Sequence, residues 1–93
     1  MSIQSFSCNE TEQLFTSGIT KKFNSIKSTA ERKLSMLDSA KELIDLQSPP
    51  GNRLHELKHN RSGQHAISIN DQYRICFTWT QAGPDKVEIT DYH

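Results

Sequence analysis

Asp91-Tyr92-His93 closes the sequence with three titratable side chains in succession. An Asp, a Tyr and a His can between them take a proton from a hydroxyl, give one to a leaving oxygen and orient one another, and imidazole does either job near neutral pH. His55, Lys58 and Arg74 add an imidazole and two cations. Together these are the parts needed to cut RNA by internal attack: a base for the ribose 2′-hydroxyl, cations for the pentacoordinate phosphate and a proton donor for the 5′-oxygen. That reaction requires neither metal nor cofactor. The plainer reading is a frayed terminus and solvated surface charges. Arg74 fits that reading least, because the surrounding pattern puts it in the middle of a strand.

His55-Glu56-Leu57-Lys58-His59 also matches His-Glu-x-x-His, which on a helix sets two imidazoles on one face for zinc beside a carboxylate base. Its context is wrong for that. Pro49-Pro50-Gly51 and Gly63 bracket it, leaving about two turns of possible helix, too few to anchor a site alone. A third ligand is unassigned, so no metal is expected.

The elements that must position these residues follow from periodicity. Ile67 and Ile69, then Tyr73, Ile75, Phe77 and Trp79, alternate with smaller or polar residues across 63–79, the period of a half-buried β-hairpin. Its turn falls at Asn70-Asp71-Gln72, where Asn and Asp tolerate left-handed backbone. One face is core and the other carries Arg74. Upstream, Ile3–Phe6 reads as a brief first strand, and Asn9 with Glu12 fits a capping box for a short helix stopped by Gly18. Thr20–Phe23 reads as a basic connector. Ile26, Ala30, Leu34, Leu37, Ala40 and Ile44 then form one helical stripe from Asn24 to about Leu46, with Ser28 and Glu31 as an alternative start and Pro49 as the stop. Residues 53–58 read as a strand, Ala82–Asp85 as a turn, and Val87 with Ile89 as a last strand running into Asp91. Helices followed by consecutive strands give an α+β domain, an antiparallel sheet with two N-terminal helices packed on one face.

Ninety-three residues allow one domain, 1–93, with one core. Acidic and basic residues balance at 11 each, so net charge predicts neither nucleic-acid nor membrane binding. Their distribution is uneven: residues 21–76 carry +4 and the remainder −4. A positive groove arises if the fold gathers Arg53, Lys58, Arg61 and Arg74 on one side. Cys8 and Cys76 read as free thiols of a reducing compartment. Neither a signal peptide nor a membrane span is evident, so a cytoplasmic protein without membrane contact is expected.

Ser48-Pro49-Pro50-Gly51-Asn52-Arg53-Leu54, Leu57-Lys58, Arg61, Gly63-Gln64, the run Ile67–Trp79 and the closing Val87–His93 resemble the HigB toxins of bacterial type II toxin–antitoxin systems, within the RelE superfamily. The likeness covers nearly the whole chain and is densest from Ser48 onward. It implies a RelE-like microbial ribonuclease fold and a toxin that cuts mRNA in the A site of the 70S ribosome, stopping translation. By that resemblance His55, Asp91, Tyr92 and His93 would be catalytic, and Lys58 and Arg74 would hold the phosphate. The implied partner is a HigA-type helix-turn-helix antitoxin, with operator DNA bound only through the toxin–antitoxin complex. The alternative is a RelE-like module that occupies ribosomes or pairs with an antitoxin without cutting.

Overall fold

A computed structural model describes residues 2–91. Two helices, α1 (Asn9–Ser17) and α2 (Lys27–Ser39), precede four strands, β1 (His55–Glu56), β2 (His65–Ser68), β3 (Tyr73–Thr80) and β4 (Gly83–Asp91). The strands form one antiparallel sheet in the order β1-β2-β3-β4. Ile67, Ile75 and Ile89 lie directly across from one another on β2, β3 and β4, and all three pack with Leu14 of α1 and Ala30, Leu34 and Leu37 of α2. Both helices therefore cover the same face, and the architecture is α+β as expected. Burying each of these large side chains contributes about 1.5–3 kcal/mol. No helix among the described residues is long and apolar enough to cross a membrane.

The hairpin forms where the alternation predicts, with Ile67 opposite Ile75 and Ser68 opposite Arg74. Its turn works differently. The Asn70 side-chain oxygen accepts from the backbone N–H groups of Gln72 (2.8 Å) and Tyr73 (2.7 Å), an Asx-type closure. Left-handed backbone at non-glycine residues occurs instead at Arg53 and Lys86 among the described residues. The strand after the hairpin begins at Gly83, four residues before Val87, because Trp79 and Thr80 still pair with Pro84 and Gly83.

The expected first strand is a single parallel bridge, Phe6 to Val87, running along the outer edge of β4. Gln4 N–H donates to the Pro84 carbonyl (2.7 Å), Val87 N–H to Ser5 (3.0 Å) and Ser7 N–H to Val87 (3.0 Å). Further along that edge, the Ile89 N–H donates to the Thr11 hydroxyl of α1 at 3.0 Å, and Thr11 is fully buried. An otherwise open strand edge is thus satisfied by the N-terminal segment and a helix side chain. That is why α1 ends up beside the C-terminal strand.

The helix termini differ from expectation in instructive ways. Cys8, not Asn9, is the N-cap of α1 and makes no side-chain cap, while Gly18 stops the helix in left-handed conformation at φ 73° as expected. The long helix predicted over 24–46 is broken. Asn24–Ile26 is a 3-10 turn, α2 spans only Lys27–Ser39 with Ser28 inside it, and Ala40 turns extended at ψ 134°. The Asp45 carboxylate accepts from the backbone N–H groups of Lys41 and Glu42, both at 3.0 Å, and Glu42 and Asp45 form a capping box that starts a separate 3-10 turn at Leu43–Gln47. Ile44 is consequently 61% exposed, and Leu46 is the residue fully buried. Phe23, read as part of a polar connector, is core as well and meets Tyr73 edge-on, with ring centroids 5.9 Å apart.

Candidate active site

The helix-free face of the sheet carries His55 and Arg74. Side chains directly across an antiparallel pair share a face. His55, Ala66, Cys76 and Glu88 therefore make one cross-strand row, and Ser68, Arg74 and Thr90 make the next. Ala66 and Cys76 are fully buried on this side beneath Leu57, forming a small apolar cluster under the loop of residues 57–64. Arg74 and His55 flank it. Two strand spacings and one pleat repeat separate their backbones by about 12 Å.

His55 is exposed, and its Nδ1 lies 2.7 Å from the carbonyl oxygen of Arg53. A carbonyl only accepts, so Nδ1 carries the hydrogen and the neutral ring presents a bare Nε2. The geometry comes from the turn before it. Arg53 adopts left-handed backbone (φ 49°) after the Pro50–Asn52 turn, and its N–H donates to the Pro50 carbonyl at 3.1 Å. Asn52 anchors that turn. Fully buried, it donates through Nδ2 to the carbonyls of Leu46 (3.1 Å) and Ser48 (3.3 Å), and its Oδ1 accepts from the Lys33 ammonium of α2. Burial pushes the Lys33 pKa down, with the nearby Arg32 charge acting in the same direction. A chain of contacts from α2 through Lys33, Asn52 and Arg53 thus sets the His55 ring. Neither the role of Lys33 nor that of Asn52 follows from the sequence pattern alone. The available signal was a lysine on the inner side of α2 and an Asn after Pro-Pro-Gly.

The remaining candidates are distributed unevenly. Arg61 lies on the helix-free side, where its guanidinium donates to Glu88 (2.7 Å) and Gln64 (3.0 Å). The Glu88 hydrogen bond raises the Arg61 pKa, against burial that opposes it. Arg61 therefore braces the 57–64 loop against β4. Lys58 is exposed in that loop, and Arg53 is exposed at the turn. Asp91 pairs with Tyr73, on the pleat position opposite to Arg74 and Thr90, and its carboxylate accepts from the Gln72 side chain at 2.9 Å. Tyr92 and His93 lie outside the described residues. His55 and Glu56 stand on a strand, where neighbours point to opposite faces, so the His-Glu-x-x-His spacing does not act as it would on a helix. Among the described residues no three His, Cys, Asp or Glu side chains are grouped to hold a metal ion.

Comparison with known proteins accords with this fold. Residues 4–93 match the HigB-like toxin family, described as the RelE-like toxin of type II toxin-antitoxin system HigB. Toxin HigB-1 of Vibrio cholerae is 45% identical over 56 residues, 60% of this chain and 59% of that protein. An uncharacterized protein of Haemophilus influenzae is 35% identical over 48 residues, 52% of this chain and 48% of that protein. The chain thus spans between about half and three fifths of the length of the relatives it matches. With a family match across nearly all its length and the α+β sheet-and-helix architecture to go with it, this chain belongs to the HigB-like family of RelE-like toxins.

Proposed function

We propose that the chain is a ribosome-dependent mRNA endoribonuclease that inhibits translation, cutting by attack of the ribose 2′-hydroxyl on the adjacent phosphate. The observation that carries this reading is the placement of His55, with Nδ1 tied to the Arg53 carbonyl, on the same sheet face as Arg74. In that arrangement His55 Nε2 takes the 2′-hydroxyl proton as the oxygen bonds to phosphorus. Arg74, with Lys58 from the loop, offsets the charge that grows on the phosphoryl oxygens. The bond from phosphorus to the 5′-oxygen then breaks, and the leaving oxygen receives a proton from the Asp91-Tyr92-His93 segment. The products are a 2′,3′-cyclic phosphate and a free 5′-hydroxyl. Arg53 and Arg61 serve the RNA backbone at longer range, Arg61 from within its pairing to Glu88.

The partner in this reading is a helix-turn-helix antitoxin of the HigA type, with operator DNA engaged only by the complex. The substrate is message held in the ribosomal A site, where the ribosome presents the strand and the toxin supplies the proton transfers. Induced expression followed by primer extension tests it. Wild type should produce new 5′ ends within translated message, and Arg74→Ala should not. Growth arrest with intact message would replace cleavage by simple occupancy of the ribosome.

A further inference from the structure

Beyond the row of Cys76 and Glu88, on the side away from Arg74, the helix-free face opens into a cavity of about 410 Å³ lined by Asn60, Arg61, Ser62, Gln64, Thr78 and Lys86. Every one of these side chains can donate a hydrogen bond. Of the neighbouring carboxylates, Glu88 is paired with Arg61, and Asp85, across from Thr78, accepts from the Ser5 hydroxyl. Lys86 is different: it is exposed, and no carboxylate among the described residues pairs with its ammonium.

The backbone at Lys86 makes the position notable. Cys76 pairs with Glu88 and Thr78 with Asp85, so Lys86 and Val87 together oppose Phe77 alone, which is a β-bulge with one extra residue in β4. The first residue of the pair takes φ 52°. Bulges of this kind ordinarily use glycine there, since left-handed backbone costs a residue with a Cβ about 1–2 kcal/mol. The surroundings hold the strained residue in place: Lys86 N–H donates to the Ser5 hydroxyl at 3.0 Å, and Val87 N–H to the Ser5 carbonyl at 3.0 Å. Lys86 thus holds a backbone conformation that glycine adopts at lower cost while it lines a cavity of hydrogen-bond donors.

We infer that this cavity is a second binding site for a backbone phosphate of RNA, with Lys86 as its charged contact and Asn60, Ser62 and Thr78 as neutral donors. The inference rests on the RNA-cleaving reading above. Arg74 and Thr78 stand four residues apart on β3, about 13 Å at the rise of a strand. That is longer than a single nucleotide step, so a bound strand would give Arg74 and Lys86 different phosphates. The phosphate belongs to the message or to ribosomal RNA, and the chemistry of recognition is the same for both.

The test compares wild type with Lys86→Gly and Lys86→Arg. Glycine removes the ammonium while giving the bulge its ordinary residue, so the variant should melt at or near the wild-type temperature. Binding is measured across a salt series, to a single-stranded RNA oligonucleotide in one arm and to ribosomes without message in the other. Loss of one phosphate contact should flatten the slope of log K against log salt by about 0.7 in Lys86→Gly, and Lys86→Arg should restore it. A change confined to the oligonucleotide arm assigns the phosphate to the message, and one confined to the ribosome arm assigns it to ribosomal RNA. Unchanged slopes in both arms overturn the site. If they are unchanged while wild type still cuts message, the site alone falls. If wild type cuts no message, the ribonuclease reading falls whatever the slopes show.

Discussion

The Nδ1 atom of His55 lies 2.7 Å from the carbonyl oxygen of Arg53, two residues earlier in the chain. The contact fixes both the tautomer and the direction of a ring that would otherwise swing freely on a two-residue edge strand. His55→Ala should therefore lower message cleavage by about 10²–10⁴-fold, the usual range for a general base. Because the side chain is exposed, the circular dichroism spectrum and melting temperature should stay close to wild type. Primer extension on ribosome-bound message reads the first effect. Undiminished cutting by the variant would remove His55 from the reaction.

Arg53 separates backbone from side chain in the same contact. Its carbonyl orients His55 and its φ is 49°, a conformation that glycine adopts at lower cost. Arg53→Gly should keep the carbonyl in place and hold the melting temperature at or above the wild-type value. Any fall in cleavage then measures the guanidinium. A fall that disappears at low salt would mark a distant phosphate contact, and no fall at all would leave Arg53 with a backbone role only.

Asn52 and Lys33 carry the turn, and their loss should show in stability first. Asn52→Ala strands the carbonyls of Leu46 and Ser48 and the Lys33 ammonium, with an expected cost of about 1–3 kcal/mol for each buried group left unsatisfied. Lys33 adds a pH signature. Its pKa is lowered in the folded protein, so between that value and the ordinary lysine value the unfolded chain binds more protons. Stability from this group accordingly rises with pH across that window and falls as pH drops through the folded value. Urea titrations at several alkaline pH values should show the rise in wild type and its loss in Lys33→Met. Equal slopes in the two proteins would mean that the lysine is not desolvated in solution.

The break after α2 can be checked by two substitutions that a continuous helix would rank the other way. The helical stripe predicts Ile44 as core, whereas the fold buries Leu46 completely and leaves Ile44 61% exposed. Leu46→Ala should cost about 2–5 kcal/mol, and Ile44→Ala should change stability by no more than about 0.5 kcal/mol. Denaturant unfolding of both variants decides the matter, and the reverse ranking would restore the long helix.

These cases show what a sequence of this kind makes legible. The hairpin could be read because Ile67 and Ile69 before the turn, and Tyr73, Ile75 and Phe77 after it, recur at every second position and the sheet has one buried face, so period and burial agree. Arg74 could be placed opposite the core by the same parity. The helix break could not, because it depends on one carboxylate, Asp45, competing for two backbone N–H groups that a helix would have used. Nor could the support of His55, which comes from Lys33 and Asn52, residues 19 apart that meet only in the folded chain. The pairing of Arg61 with Glu88, 27 residues away, is of the same kind. Residue types nominate the candidate side chains, whereas their positioning depends on contacts distant in sequence.

The end of the chain gives the most direct test of the proposed reaction. Asp91 is tied to Gln72 at the hairpin turn, so removing only Tyr92 and His93 leaves the last described contact of β4 intact. A chain ending at Asp91 should fold as wild type does, since β4 is held by its pairing with β3, by the Ser5 backbone and by Thr11. Its cleavage of message should be lost. Tyr92→Phe and His93→Ala then divide the loss between a hydroxyl and an imidazole: each should cut more slowly with no change in melting temperature. If the leaving 5′-oxygen takes its proton from this segment, a substrate with sulfur in place of that oxygen, a better leaving group, should recover much of the lost rate in the variant that lacks the donor. Full activity in both point variants would place the proton donor outside Tyr92 and His93.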